Sequence, residues 1–224
     1  MPNSTRKKIA IVIPGYNEAK YISKVLSKVK HKAVYIVYVD DGSRDKSAQI
    51  ARRFTSHILI HKTNLGKGAA LKTGCDYAFD QLKAHSVIFM DADDQHDAEE
   101  IPRFTRALET YDVVFGERRM GTSMPLLRFI GNKFASILLN FFFGVYIPDI
   151  PCGFKAIKKR VYPLLRWNSN GYEVETEIAV RVAKQGIEFG LVDIESIYRD
   201  TDKGMTFLDA LHISRCIATW KIAL

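Results

Sequence analysis

Short, continuous apolar runs punctuate the first half of the chain. They are rich in Val and Ile, and most of them end at Gly, Pro, Asp or a polar cluster, which is typical of buried β-strands. The predicted strands occupy residues 8–14, 33–39, 56–60, 86–90 and 112–115. Strands that are apolar without alternation are buried on both faces, as in a parallel sheet covered by helices.

The segments between these runs have helical spacing. In residues 18–30, for example, the apolar side chains fall at Ile22, Val25, Leu26 and Val29. Further helices are predicted over residues 46–54, from the glycine-rich segment 64–68 through residue 79, and over about 98–108. This β-α order predicts an α/β fold: a Rossmann-like, mixed but mostly parallel sheet with helices on both faces.

The regular alternation of strands and helices ends after residue 116. We expect a long helix with an apolar second half, two shorter helices, a strand or hairpin, and an amphipathic C-terminal helix. Their predicted bounds are residues 124–143, 160–165, 174–185, 187–198 and 207–223. No repeat or linker is visible, so the sequence predicts one domain over residues 1–224.

The longest apolar stretch covers residues 134–147. A membrane-spanning helix needs about 20 apolar residues. This stretch is shorter, and Asn140 and Gly144 interrupt it. The apolar run at residues 9–13 is also too short for the core of a signal peptide. We therefore expect a chain that lies on a membrane surface rather than one that crosses it.

Composition limits the classes of binding partner and the cellular compartment that we expect. The net charge of +8 favours anionic partners, namely nucleic acid, phosphorylated small molecules or an anionic membrane. The three cysteines, Cys75, Cys152 and Cys216, are far apart and match no zinc-binding spacing. They are interpreted as reduced thiols, which indicates the cytoplasm.

The segment Asp91-Ala92-Asp93 follows the fourth predicted strand. Alternate carboxylates at this position can both face a hard cation, and Mg²⁺ and Mn²⁺ prefer oxygen ligands. The alternative is that these acids cap the next helix, because Asp is common at helix N-termini. The polar run continues to residue 96, and polar clusters end other strands too. The pattern therefore favours a metal site.

Other polar residues end the first two predicted strands. Asp40 and Asp41 can accept hydrogen bonds from a ribose or a base, or they can cap the helix that follows. Pro14, Tyr16 and Glu18 offer an aromatic face and a carboxylate, or they form only a turn before a helix. Ligands of such sheets bind beyond the carboxyl ends of the strands, where these clusters converge.

Basic residues supply candidate phosphate contacts. The segment 66–68 lacks the spacing of known phosphate loops, so its glycines are interpreted as admitting a ligand close to the backbone while Lys67 adds charge. Arg118, Arg128 and Arg199 can clamp phosphate through bidentate bonds, although a single Arg is more often a solvated surface residue.

Taken together, these motifs resemble inverting family 2 glycosyltransferases of the GT-A fold. The later motifs are similar to those of dolichol-phosphate mannose synthases and related polyprenyl-phosphate glycosyltransferases, and the resemblance covers residues 8–211. The early motifs are IVIPGYNE, VDDGSRDKS, NLGKGAALKTG, FMDADDQHD and VVFGER. The later ones are MPLLRFIGNKFASILLNFFFG, DIPCGFKAIKKRV, GYEVETEIAVRVAKQG and IYRDTDKG. Glu117, where many relatives have Ser, and the segment 203–206 depart from the pattern.

The resemblance implies roles for particular residues. Those expected to line the nucleoside pocket are Pro14, Tyr16, Glu18 and Asp41, and Asp40, Lys67, Asp91 and Ala92 complete the donor-binding set. Those expected to hold Mg²⁺ or Mn²⁺ are Asp91, Asp93 and Gln95. Those expected to act in catalysis are Asp93, Arg118, Arg128 and Arg199, the arginines by meeting phosphates. Interface helices are expected over residues 125–143 and at the C-terminus.

The implied reaction is transfer of mannose or glucose from GDP-mannose or UDP-glucose to a dolichyl or polyprenyl phosphate. Residues 8–118 would form the donor and metal half, and residues 119–224 the acceptor and membrane half, on the cytoplasmic face of a membrane. The nearest alternative is transfer to a sugar hydroxyl, which needs a general base such as Glu177 or Asp94. A non-catalytic nucleotide-sugar-binding module is a further alternative. The acidic strand ends argue against nucleic acid as a partner.

Overall fold

One seven-stranded sheet organises the protein. The computed structural model describes residues 8–118, 126–195, 215–217 and 219–221, with the backbone alone over residues 126–130. The strands are β1 (Ile9–Gly15), β2 (Tyr35–Asp40), β3 (His57–Ile60), β4 (Ser86–Phe89), β5 (Val113–Arg118), β6 (Lys155–Lys158) and β7 (Phe189–Ile194). Their order in the sheet is β3-β2-β1-β4-β6-β5-β7.

Helices connect the strands and cover the sheet. They are α1 (Ile22–Val29), α2 (Ser47–Ala51), α3 (Lys67–Asp80), α4 (Ile101–Thr110), α5 (Leu126–Phe143), α6 (Tyr162–Leu165) and α7 (Val174–Lys184). Single 3₁₀ turns at Ala98–Glu100 and Lys159–Val161 precede α4 and α6. The apolar stripe of α1 is fully buried, as its helical spacing predicted.

Strands β1 to β4 are mutually parallel, and β5 pairs in parallel with β7. The exception is β6, which lies antiparallel between β4 and β5. The prediction of a mixed, mostly parallel sheet is therefore confirmed. The sequence did not predict β6, because its four residues begin and end with Lys. Lys155 is nevertheless buried, and its ammonium donates to the backbone carbonyls of Ile150 and Cys152.

A hydrophobic core lies on each face of the sheet. On one face, large side chains such as Phe79 and Trp167 pack with residues of α3, α5 and α7. On the other face, which α1 and α4 cover, Phe104 of α4 stacks on Phe154 with ring centroids 4.3 Å apart. Burying such a side chain stabilises the fold by roughly 1.5–3 kcal/mol. These two cores fix the sheet edge that carries the polar clusters.

The second half differs in detail from its sequence prediction. The predicted strand or hairpin at residues 187–198 contains the single strand β7, and residues 196–198 lie outside the described part. The predicted C-terminal helix is helical at residues 215–217 and 219–221, and the rest of it lies outside the described residues. Across the part of the chain that the structure describes, every helix is too short or too polar to cross a bilayer.

Candidate active site

The carboxyl ends of β1, β2, β4 and β5 face the same edge of the sheet, since β6 is antiparallel to both β4 and β5. Gly15 at the end of β1 lies opposite Asp40 at the end of β2. Asp91 follows β4, and Arg118 ends β5. The structure thus places the predicted polar clusters at the sheet edge where open α/β folds bind ligands.

Asp91 is held by an ion pair from the glycine-rich segment. The ammonium of Lys67, the first residue of α3, lies 2.7 Å from Asp91 Oδ1. It also lies 2.7 Å from Oε1 of Glu175 on α7. A methyl group at Gly153 would collide with the Asp91 carboxylate and lie 2.9 Å from the Lys67 ammonium. Gly153 therefore lets the backbone close over this ion pair.

His96 supports Asp91 from the protein interior. Its ring is buried, stacks on Phe154 at 5.0 Å, and accepts the backbone N–H of Asp91 at Nδ1 over 3.2 Å. The other ring nitrogen, Nε2, lies 3.7 Å from Asp91 Oδ2. Burial lowers the pKa of His96 to about 4, so the ring is neutral at physiological pH. A neutral ring that accepts at Nδ1 carries its proton at Nε2, toward the carboxylate.

Asp93 lies beside Asp91 with little charge compensation of its own. Its Oδ1 accepts the backbone N–H of Gln95 at 3.1 Å. Burial and the negative charge of Asp91 raise the pKa of Asp93 to about 6. Burial alone would also raise the pKa of Asp91, but Lys67 outweighs it and lowers that pKa to about 2. Ala92 between them is buried and packs into the core.

These two carboxylates fit a divalent cation that arrives with phosphate. Among the described residues there is no group of three or more His, Cys, Asp or Glu side chains that could hold a metal. Mg²⁺, however, is usually bound through one or two carboxylates together with substrate phosphates and water. Burial and the negative charge of Asp91 together raise the pKa of Asp93, and a bound cation would offset the repulsion between the two carboxylates.

Asp41 shapes the glycine-rich segment. It is buried, and its carboxylate accepts the backbone N–H groups of Leu65 at 2.9 Å and Gly66 at 2.8 Å. His61 Nδ1 lies 2.7 Å from the same carboxylate. Gly66 has φ of +99°, a conformation that favours glycine. Asp41 therefore sets the path of the backbone from which Lys67 projects, in addition to its predicted place beside the nucleoside.

The loops after β1 and β2 are bonded to each other. The backbone N–H of Asn17 donates to Ser43 Oγ at 2.9 Å, and that of Glu18 donates to Ser47 Oγ at 2.8 Å. Asp40 is buried and accepts the backbone N–H of Ser43 at 3.0 Å. Tyr16 is left exposed beside these bonded loops, and Pro14 is buried. The arrangement provides the aromatic face that the sequence predicted at this edge.

Arg118 is held by a carboxylate that sequence reasoning missed. Its Nε and one terminal nitrogen each lie 2.7 Å from an oxygen of Asp149, and its backbone N–H donates to the same group at 3.1 Å. Asn132 of α5 donates to Asp149 as well, at 2.7 Å. Asp149 thus ties the end of β5 to α5. The side chain of Arg128 and all of Arg199 lie outside the described residues.

The two candidate general bases, Glu177 and Asp94, are both engaged in hydrogen bonds or ion pairs within the protein. Glu177 is fully buried and accepts the backbone N–H groups of residues 168 and 169, the hydroxyl of Ser169 and Nε of Arg181. Burial would raise the pKa of Glu177, but these bonds hold it below its usual range. Asp94 is also buried and pairs with Lys24 at 2.8 Å and Lys28 at 2.7 Å. Neither carboxylate is available to accept a proton from a sugar hydroxyl.

Instead, Glu177 positions a loop over the glycine-rich segment. The carbonyl of Asn170 accepts the backbone N–H of Ala69 at 3.1 Å. The indole of Trp167 donates to the carbonyl of Gly68 at 2.8 Å. A side chain at Gly66 or Gly68 would collide with this loop. The glycines therefore admit the protein's own backbone, whereas the sequence interpretation assigned that approach to a ligand.

The structure thus combines a mixed, mostly parallel sheet with an acidic pair and a lysine at the edge where open α/β folds bind ligands. The model of the family described as "Glycosyl transferase family 2" matches residues 10–164. The chain therefore belongs to that family, and it is a glycosyltransferase.

Three comparisons illustrate the relationship. An uncharacterised protein of Methanocaldococcus jannaschii is 35% identical over 189 residues, which are 78% of this chain and 82% of that protein. The polyprenol monophosphomannose synthase of Mycolicibacterium smegmatis is 28% identical over 232 residues, covering 95% and 86%. The glucosyl-3-phosphoglycerate synthase of Mycobacterium tuberculosis, crystallised with Mn²⁺, UDP and product, is 18% identical, with a TM-score of 0.73 over 98% of this chain and 81% of that one. The last supports the fold alone.

Proposed function

We propose that the protein transfers a hexose, with inversion and with a divalent metal, from a nucleotide-sugar to a polyprenyl or dolichyl phosphate. The observation that carries the proposal is the pairing of Asp91 and Asp93 beside Lys67, at the carboxyl end of β4. Carboxylates and an ammonium side by side suit a metal-bound diphosphate. The similarity to a polyprenol monophosphomannose synthase supports the lipid phosphate as acceptor.

Each half of the chain has a task in this proposal. Residues 8–118 would bind the nucleotide-sugar. The nucleoside would lie against Pro14, Tyr16, Glu18 and Asp41, with Asp40 also in the donor-binding set, and Lys67 would meet the diphosphate. Asp91 and Asp93, with Gln95 beside them, would hold Mg²⁺ or Mn²⁺. When bound, the cation supplies charge stabilisation to the departing nucleoside diphosphate.

The acceptor side rests on Arg118. Held by two bonds to Asp149, its guanidinium is fixed in orientation at the end of β5. A phosphate oxygen of the lipid would attack the anomeric carbon while the bond to the diphosphate oxygen breaks. A phosphate monoester is already ionised at neutral pH, so no general base is needed. The chain's own contribution is then to position two anions side by side, with Arg118, Arg128 and Arg199 as the proposed cations.

Because Glu177 and Asp94 are already paired with cations of the protein, a lipid phosphate is favoured as acceptor over a sugar hydroxyl. Transfer to a hydroxyl needs a carboxylate or imidazole free to take the proton. Glu177 is bonded to Arg181 and its loop, and Asp94 is bonded to Lys24 and Lys28. Phosphate, which brings its own negative charge, requires neither of them.

The α5 helix suits an enzyme that works on a lipid. Phe134, Ile137 and Phe141 are exposed on α5, and Phe141 is 78% exposed. Tyr146, which follows the helix, is also exposed, and Lys133 donates to its hydroxyl at 3.2 Å. An apolar face with basic residues beside it is typical of a helix that lies in a membrane interface. We place this face against the cytoplasmic leaflet, with residues 119–224 as the acceptor half.

GDP-mannose is the first donor to test, because the lipid-phosphate relative named above is a mannose synthase. UDP-glucose is the second, because it is the other donor that the family resemblance implies. The test of the metal site is the variant Asp91→Ala. It should lose metal-dependent transfer from either donor while its circular dichroism remains that of a folded protein at the assay temperature. Its melting temperature should fall, because the ammonium of Lys67 loses one of its two carboxylate partners. Full activity in this variant would refute the assignment.

A further inference from the structure

Lys67 occupies the position from which a cation would approach Asp91. Its ammonium lies 2.7 Å from Asp91 Oδ1, and the ring nitrogen Nε2 of His96 lies 3.7 Å from the other carboxylate oxygen. Only a small part of the Lys67 side chain is exposed. A divalent cation that binds Asp91 must therefore displace or lie against a positive charge, which like-charge repulsion opposes.

The backbone of Lys67 is fixed, so only its side chain can move. Gly66 before it donates to Asp41 at 2.8 Å, and Ala69 after it donates to the carbonyl of Asn170 at 3.1 Å. Glu175 provides a second anchor for the ammonium, also at 2.7 Å. From that anchor the ammonium can leave Asp91 without losing its pairing with a carboxylate.

A diphosphate changes the balance between the two cations. Its negative oxygens attract Lys67 away from Asp91 and supply further ligands to the metal. On the basis of the proposed function, we infer that Lys67 is an internal cation that holds Asp91 until a nucleoside diphosphate arrives, so that metal and diphosphate each strengthen the binding of the other. Such coupling is reciprocal, because both ligands act on the same carboxylate.

This arrangement has a consequence for the enzyme. Without a donor, the site discriminates against free divalent cations. When the donor is bound, the ammonium of Lys67 would pair with the phosphates instead of with Asp91. Asp91 and Asp93 would then both be available to the metal. Lys67 is thus a positioning residue for metal binding as well as a phosphate contact.

The test measures Mn²⁺ binding directly, by the EPR signal of free Mn²⁺, with and without GDP or UDP. The wild type should bind Mn²⁺ at least about tenfold more tightly with the nucleotide it prefers than without it. Lys67→Met should bind Mn²⁺ alone more tightly than the wild type does, and the gain from nucleotide should shrink about tenfold. Lys72→Met, on the same helix with its ammonium near the carbonyl of Trp167, removes an equal charge and should leave both quantities unchanged.

The outcomes separate the inference from the proposed function. If Lys67→Met binds Mn²⁺ alone no better than the wild type, or keeps the full gain from nucleotide, the inference is wrong while the proposed metal site stands. If the wild type binds no Mn²⁺ with either nucleotide, both fail. Lys67→Gln gives the same test if Lys67→Met does not fold.

Discussion

Asp149 binds Arg118 through two parallel bonds of 2.7 Å, one to each carboxylate oxygen. The two residues are 31 positions apart, and the pair joins the end of β5 to the segment that follows α5. Asn132 of α5 donates to the same carboxylate. A substitution at any of the three residues should therefore alter the position of the other two side chains. The pair connects the proposed phosphate site to the proposed membrane helix.

The variant Arg118→Lys tests the bidentate geometry. Lys keeps the positive charge but cannot make two parallel bonds to Asp149. We expect kcat/KM for the lipid phosphate to fall by on the order of 100-fold, because a misplaced clamp loses orientation of the acceptor. The KM for the nucleotide-sugar should stay near its wild-type value. If instead only the KM for the nucleotide-sugar rises, Arg118 contacts the donor and not the acceptor.

Acid should weaken the Asp149 pair in a defined pH range. Burial alone would raise the pKa of Asp149, but the bonds from Arg118 outweigh it and hold that pKa below its usual range. A depressed pKa in the folded state stabilises the fold above the unfolded pKa, near 3.9, and this stabilisation is lost as pH falls further. Asp149→Asn should therefore lower the melting temperature by about 6 °C or more at pH 6.

The difference in melting temperature between Asp149→Asn and the wild type should narrow steadily below pH 4. Thermal unfolding between pH 6 and pH 2.5, followed by circular dichroism, measures it. A difference that stays constant or widens on acidification would contradict the assigned pKa direction.

Glu177→Gln separates a structural carboxylate from a catalytic one. Since Glu177 pairs with Arg181 and holds the loop at residues 168 and 169, the variant should lose about 3 kcal/mol of unfolding free energy. At a temperature where the variant is folded, kcat should remain within about threefold of wild type, whereas loss of a general base costs about 10²- to 10⁴-fold. A variant of normal stability and strongly reduced kcat would restore the hydroxyl-acceptor alternative.

The membrane face of α5 can be tested without disturbing the core. Ile137 and Phe141 are 57% and 78% exposed, whereas Phe142 packs against the core and beneath Lys221. Ile137→Ser with Phe141→Ser should weaken binding to anionic liposomes by about tenfold or more in a flotation assay, because two apolar side chains leave the lipid. Leu191→Ser, at an exposed apolar position on β7, is the matched control. Equal binding by all three proteins would remove α5 from the interface.

The first five strands could be predicted because each contains a continuous apolar run, which is typical of a buried strand. β6 could not, since Lys155 is charged in the sequence and is buried only because backbone carbonyls surround its ammonium. The strand-end clusters were found by topology, which brings the ends of parallel strands together. The carboxylates that pair with these clusters could not be predicted, because Glu175 and Asp149 come from distant segments of the chain. Only the folded structure shows that Glu175 pairs with Lys67 and Asp149 with Arg118.

The most direct test of the account is formation of a lipid-linked hexose. The purified protein is incubated with GDP-mannose or UDP-glucose, a short polyprenyl phosphate and Mg²⁺ or Mn²⁺, with EDTA in a parallel sample, and the lipid fraction is examined for hexosyl phosphate. A lipid-linked hexose should form from one of the donors and should be absent in EDTA. Transfer to a free sugar or glycan that is added in a further sample, with no lipid product from either donor, would contradict the proposed function.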